Sequence, residues 1–291
     1  MLVQQLINGL MLGASYALVA IGYTLIFGVL RLLHFAHGEV FMMGAFIGLQ
    51  IVLSFAGASI YVSILGAMLS TALLGVIITY VAVRPVSSQY PLAPLISTIG
   101  VTIVLQNVAI NVFGGEQVAF PETIKPVLYH FGSVTISSVQ IFILAVAIVS
   151  MAGLWLFIER TRMGRAIRAT SESHETAALL GVNVNRVVVV TFILASALAG
   201  VAGVLEGVKN SAITPFMGLE FAIKALVVML LGGLGNVPGA MVAGILLGMI
   251  EILTAAYLGA SMRDLFTFVI LILLLLYRPT GLFGTRTIEA S

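Results

Sequence analysis

The sequence has no cysteine, four histidines, three lysines (Lys125, Lys209 and Lys224) and only 8% charged residues in 291. Without cysteine there is no disulfide, no thiolate metal site and no thiol nucleophile. The histidines, His34, His37, His130 and His174, are too scattered to suggest a metal centre. Soluble domains carry about 25% charged residues, so the shortage of charge excludes a soluble globular fold. No basic run sits beside stacking aromatics, which excludes a nucleic-acid footprint, and the net charge of +2 comes from a few loop arginines. None of the lysines follows a glycine-rich loop in the Gly-Lys-Ser/Thr arrangement that cradles phosphates. No HExxH, GxSxG or paired catalytic side chains stand out either. The chain reads as a non-enzyme with no nucleotide site of its own.

What is there instead is apolar: 60% of the residues, with a mean hydropathy of +1.18. The apolar runs are long and continuous, unlike the short alternating strands of a membrane barrel. The composition predicts an all-α, polytopic transmembrane bundle of about eight to nine helices at roughly 20 residues per span. Nine segments can be drawn, at 4–30, 39–56, 60–83, 92–113, 138–158, 187–207, 220–234, 239–258 and 262–278. The first lacks a basic leader and is too long for a cleaved signal, so it reads as a retained span. Arg31, Arg84, the arginines of 159–186, Arg278 and Arg286 fall on one side if all nine segments cross. Arginine and lysine near span ends favour the cytoplasm. This places the N-terminus outside and the C-terminus inside, with Lys125, Lys209 and Arg263 outside. Segments 220–234 and 239–258 could both cross or form a re-entrant hairpin without moving any other charge.

Several segments are not plain rods. In YPLAPLISTIGVTIVLQNVAIN, Pro91, Pro94 and Gly100 suggest a broken helix, with free N–H groups at the break. Thr98, Thr102 and Gln106 share one face, with Asn107 and Asn111 beside it. Such a face avoids lipid; it serves either as hydrogen-bonding glue between helices or as the lining of a transport pathway. GxxxG spacing at Gly9/Gly13, Gly44/Gly48, Gly203/Gly207 and Gly244/Gly248 lets backbones approach closely, and packing within the chain is the simpler reading. The likeness of 38–49 to 238–250 hints at an inverted repeat.

Ionisable groups at membrane depth are few. Glu206 with Lys209, and Glu220 with Lys224, have the spacing of neutralised helical pairs. Glu251 has no basic residue within a turn, so it bonds to a neighbouring helix or lines the pathway. His34, His37 and Glu39 could form a proton relay, but nothing continues it into the next spans, and a polar boundary loop is the plainer reading. The polar stretch 159–186 carries an apolar side (Ala166, Ile167, Ala177, Ala178, Leu179, Leu180) and a stop at Gly181. With nothing in the chain assigned to cover that side, it reads as an interfacial helix or as a knob for a cytoplasmic partner. Any ATP energy must then come from another subunit.

ETAALLGVN (175–183) followed by a span resembles the EAA-type loop of ATP-binding-cassette importer permeases, with Glu175, Ala177, Ala178 and Gly181 in the motif places. LLHFAHGEVFMMGAF (32–46), LGGLGNVPGAMVAGILLGMIE (231–251) and YRPTGLFG (277–284) are similar to high-affinity branched-chain amino acid permeases of the LivH type, in the same order over essentially the whole chain. His34 departs from the asparagine usual in that family. The resemblance implies a single transmembrane permease domain over 1–291 in a bacterial inner membrane. It implies a second, LivM-like permease, two cytoplasmic ATPases that bind the ATP, and an extracytoplasmic solute-binding protein. The 159–186 loop becomes the coupling element to an ATPase, and the implied substrates are leucine, isoleucine and valine, with urea, amides and other amino acids as alternatives. Thr98, Thr102, Gln106, Asn107 and Glu251 are then the candidate pathway residues, Thr98, Thr102 and Gln106 facing a cavity shared with the second permease. An ion-coupled secondary transporter is the competing class, resting on Glu251 and the His34–Glu39 cluster.

Overall fold

A computed structural model of the chain describes residues 2–55, 59–86, 92–132 and 134–284. Among these, the helices are α1 (Leu2–Leu30), α2 (His37–Ser54), α3 (Ile60–Ile78), α4 (Ala93–Phe113), α5 (Ser138–Arg160), α6 (Arg162–Glu172), α7 (His174–Leu179), α8 (Val184–Asn210), α9 (Met217–Gly232), α10 (Val237–Tyr257) and α11 (Arg263–Tyr277). Eight helical segments are long and apolar enough to cross a membrane. The polytopic helical bundle expected from composition is the observed fold. Pro91 and Arg286 lie outside the described residues.

The centre of the bundle is α1. It carries no charge and is apolar all round, the signature of a helix with protein on every side, and it is buried almost continuously from Gly9 to Val29. Around it stand α8, α9 and α10, with α2 and α3 packed on α8. The outer layer is α4, α5 and α11, whose outward apolar side chains, such as Ile96, Ile103, Val149 and Leu276, remain exposed.

Glycine decides the closest contact. α10 runs antiparallel to α1, and a Cβ on Gly9 would stand 2.7 Å from Cα of Met249, one on Gly13 2.6 Å from Cα of Ile245, and one on Gly244 2.7 Å from Cα of Ala17. The GxxxG pairs of the two helices therefore interlock backbone to backbone, the close approach that small residues permit in lipid. The same device joins α2 to α8, where a Cβ on Gly44 would meet Cα of Gly200 at 2.5 Å. The glycine pairs serve packing within the chain.

The 31–36 connection does not stay at the bundle's end. His37, which opens α2, presses its ring against Gly22 of α1, about 12 Å back from the end of α1 at 1.5 Å per residue. His34, His37 and Glu39 are all buried, at 1%, 0% and 1% exposure, so the expected boundary loop is instead a re-entrant one. The Glu39 carboxylate lies against Gly218, near the start of α9, and in the first turn of α2 itself. Two helix N-termini thus lie against a carboxyl group that is in no salt bridge among the described residues.

α9 is only 16 residues long, and the 233–236 turn after it reaches the C-terminal end of α1, where a Cβ on Gly28 would stand 3.3 Å from Cα of Gly235. α9 is not among the eight helical segments long enough to cross a membrane, and its first turn sets Gly218 against Gly38 of the re-entrant segment. Three other expectations change. α4 is one continuous helix, because Pro94 sits in its first turn, where no backbone bond is lost, and Gly100 is unstrained. α2 runs parallel to α8 and α10 antiparallel to α1, which itself runs opposite to α8. α2 and α10 thus point the same way, and their likeness is not that of an inverted repeat. The apolar side of α6 is covered by the chain itself, with Ile167 3% exposed against α1, α5 and α8.

Arg31, Arg84, the α6–α7 segment and Arg278 gather at one face: Arg31 donates to the carbonyls of Ser171 and Glu172, and Arg84 to that of Asn185. The opposite face carries a hairpin of β2 (Leu128–Phe131) and β3 (Val134–Ser137), and an antiparallel pair of β1 (Val118–Ala119) with β4 (Ala212–Ile213). Lys125, Lys209 and Arg263 belong to this lysine face.

Gly13→Val should lower thermal stability in detergent by about 1–3 kcal/mol, the usual cost of overpacking, because Ile245 backbone leaves no room for it. Gly100→Ala, with nothing within 4 Å, should be neutral or stabilising by up to about 1 kcal/mol. Melting curves of the two variants showing equal losses would contradict the interlocked helix pair.

Candidate functional site

Beneath the lysine face, the halves of α1, α5, α8 and α9 nearest that face enclose a cavity of about 870 Å³. Its wall is mixed. Met11, Ile143 and Phe221 supply apolar surface, and Glu206, Lys209, Glu220 and Arg263 supply charge of both signs. The β1–β4 pair brings the 114–127 segment across to the end of α8, so that Pro121, Thr123 and Ile124 complete the rim.

The floor of the cavity adjoins a buried ion network centred on Glu251 of α10, which is 0% exposed. One carboxylate oxygen, Oε1, accepts from Lys224 Nζ at 2.7 Å and from the Thr267 hydroxyl at 3.0 Å. The other, Oε2, accepts from the Tyr16 hydroxyl at 2.8 Å and from Arg263 Nε at 2.6 Å. Arg263 Nη2 also donates to the Tyr16 oxygen at 2.8 Å, and Lys224 Nζ also reaches Asp264. Two cations face two carboxylates, so the cluster is neutral overall. Four helices meet in it: α1, α9, α10 and α11.

Two expectations about charge resolve here. Glu206 and Lys209 do pair, at 2.8 Å, with Asn210 as a second donor to the same oxygen. Glu220 and Lys224 do not. Lys224 turns away from its exposed helical neighbour to the desolvated Glu251, where its charge offsets a far larger burial cost. Glu251 bonds to neighbouring helices, and all four of its partners are protein groups. The sequence held one signal for this arrangement, an Arg-Asp pair opening the last span opposite an unpaired glutamate; it did not indicate Tyr16 or Thr267.

On the arginine face, α6 and α7 form a tied-down elbow. Thr161 caps α6 and Ser173 caps α7, each hydroxyl accepting a backbone N–H. His174 contacts the Val29 carbonyl at the end of α1. Ala177 is buried at 1%, so it packs inward, while Glu175 and Ala178 are exposed and Leu179 and Leu180 project at 82% and 77% exposure. Gly181 holds φ at +83°, a left-handed conformation that glycine adopts without strain, and the chain turns there into α8.

With this geometry in place, comparison with known proteins is informative. Residues 5–276 match the family model of the branched-chain amino acid transport system / permease component. The chain is 42% identical to the high-affinity branched-chain amino acid transport system permease protein BraD of Pseudomonas aeruginosa, covering 98% of this chain and 97% of that one. It is 39% identical to permease protein LivH of Escherichia coli strain K12, over 98% and 96% of the two chains. A probable LivH of Methanocaldococcus jannaschii is 27% identical over 92% and 88%. The chain belongs to this permease family. No solved structure matches it.

The sequence blocks that carried the resemblance meet in the permease's fold. The 231–239 block and the 281–284 block clasp each other: Leu282 N–H donates to Leu231 O at 2.8 Å, and Phe283 N–H to Gly232 O at 3.2 Å. Asn236 caps α10 by accepting Gly239 N–H, and its amide donates to Phe283 O at 2.8 Å. Gly233, Gly235 and Gly281 all have positive φ, and a Cβ on Gly281 would fall against Leu230 O and Gly233. His34 packs on Phe192 with ring centroids 5.0 Å apart.

The polar stripe of α4 lies apart from the cavity. Thr98 is enclosed, its hydroxyl accepting Phe35 N–H from the re-entrant loop at 3.4 Å and donating to Leu95 O. Thr102 donates to Thr98 O, Gln106 is half-buried, and Asn107 is exposed with its amide bonded back to Ile103 O. Within this chain the stripe braces α4 and the 31–36 loop.

Glu251→Gln should cost about 3–5 kcal/mol, since it leaves Lys224 and Arg263 buried without their shared counter-charge. Asp264→Asn should cost far less, because Asp264 is 71% exposed and Lys224 keeps Glu251. Comparable loss of monodisperse, folded protein in the two variants would refute Glu251 as the centre of the network.

Proposed function

We propose that the chain is the membrane subunit of an ATP-driven bacterial importer of branched-chain amino acids. The supporting observation is similarity over nearly the full length of both chains to proteins named as high-affinity permeases for those solutes. The chain has no phosphate-binding loop, so ATP is bound by two separate cytoplasmic ATPases. A second permease of the same family and an extracytoplasmic solute-binding protein complete the assembly. The arginine face is cytoplasmic, by the rule that span-flanking arginines stay inside, and the cavity therefore opens to the outside.

In this reading the α6–α7 elbow is the coupling element. A rigidly capped turn with two projecting leucines suits a groove in another protein, and an apolar tip in a groove is a recurrent docking mode. The half-exposed face of α4, with Gln106 and Asn107, would meet the second permease and contribute to the pathway there, where apolar walls suit a branched side chain and amides suit its polar end.

Replacing Leu179 and Leu180 together by aspartate should leave insertion and melting temperature unchanged, because both side chains stand free of the bundle. ATPase copurification and leucine uptake by reconstituted membranes should both fall at least tenfold, about 1.4 kcal/mol or more of lost docking energy. Uptake and copurification at wild-type levels in that variant would remove the coupling role, and uptake of urea but not leucine by the native assembly would overturn the substrate assignment.

A further inference from the structure

We propose that the cavity beneath the lysine face receives the zwitterionic end of the transported amino acid, with Glu206 taking the ammonium group and Arg263 the carboxylate. The proposal rests on the importer reading above and names where on this chain the solute is held.

Three observations carry it. The first is an unsatisfied carboxylate oxygen. Glu206 is 2% exposed and lines the cavity; its Oε1 takes Lys209 and Asn210, while its Oε2, itself shielded from solvent, has no hydrogen-bond partner among the described residues. Buried charged oxygens ordinarily have donors, and an ammonium group brings three. The second is Arg263. Its Nε and Nη2 are bound to Glu251 and Tyr16, which fixes the guanidinium plane, and the side chain keeps 34% exposure on the cavity wall. Nη1 has no hydrogen bond among the described residues and is the edge left for a carboxylate, the planar anion a guanidinium fits best. The third is the rest of the lining. Met11, Ile143 and Phe221 give an aliphatic and aromatic wall for a branched side chain, and the volume of about 870 Å³ falls in the range of small-molecule sites. Glu122 and Glu220, both exposed on the same wall and in no ion pair among the described residues, add two further negative groups.

Both recognition groups are held before any solute arrives, Glu206 by Lys209 and Asn210, Arg263 by Glu251 and Tyr16. Little ordering is then needed on binding. A solute lacking either charge leaves one of the two groups without its partner, which is how buried polar sites reject near-isosteres.

The native chain has no cysteine, so a single thiol on the cavity wall reports occupancy. Ala212→Cys, in the assembled transporter in proteoliposomes without binding protein, is labelled with an impermeant thiol reagent, and labelling is read on this chain. Millimolar L-leucine should slow labelling severalfold. 4-Methylpentanoate, which lacks the ammonium, and isopentylamine, which lacks the carboxylate, should not. Glu206→Gln in the same background should need at least about tenfold more leucine for equal protection. If leucine gives no protection while the native assembly with binding protein and ATP imports leucine, the site is refuted and the importer reading stands. Absence of leucine import by that native assembly refutes the importer reading itself. Equal protection by 4-methylpentanoate would overturn the role of Glu206, and equal protection by isopentylamine that of Arg263. Should Glu206→Gln fail to assemble, the two analogues on Ala212→Cys alone decide between these outcomes.

Discussion

Glu251 has no access to water, and its charge is balanced only by groups that three other helices bring to it. Tyr16 comes from α1, Lys224 from α9, and Arg263 and Thr267 from α11. An isolated carboxylate in that position would be prohibitively costly, so the four helices are constrained to meet in one geometry. The network also fixes the direction of Arg263, and through it the charged floor of the cavity beneath the lysine face. Fold and site thus share one requirement: the Glu251 carboxylate must find its counter-charges in protein.

The glycines make that meeting geometrically accessible. α1 and α10 approach until their backbones touch, which brings Tyr16 within hydrogen-bond distance of Glu251. The re-entrant 31–36 loop applies the same economy of space, since His37 fits only because Gly22 has no side chain. Irregular backbone at this depth is tolerated where protein surrounds it, and α1, α4 and α8 provide that enclosure through contacts such as Thr98 with Phe35 and Phe192 with His34.

The two ends of the permease are built for different work. The lysine face closes over a cavity with charged and apolar walls, held by a short strand pair and the end of α8. The arginine face presents a capped elbow with two bare leucines and a clasp between the 231–239 and 281–284 blocks. The bundle between them is continuous, with α1 running from the cavity lining at Asn8 to the elbow contact at Val29. One helix thus joins the cavity wall to the elbow.

By itself the sequence determined the helical membrane class, the apolar segments and the segregation of arginines, because each follows from local composition and the thickness of a bilayer. It also determined that the glycine pairs allow close packing. It could not determine partners distant in the chain. Glu220 and Lys224 are four apart and look paired, but Lys224 instead meets Glu251, 27 residues on, since desolvation cost depends on a depth that spacing does not encode. The inverted repeat and the uncovered face of α6 failed for the same reason, since each depends on which neighbour arrives, and from which direction; α4 stayed whole for a local one, Pro94 falling in its first turn. Only the tertiary structure could place Glu206, Arg263 and Phe221 around one cavity, because they come from three helices and their convergence is a property of packing, not of order along the chain.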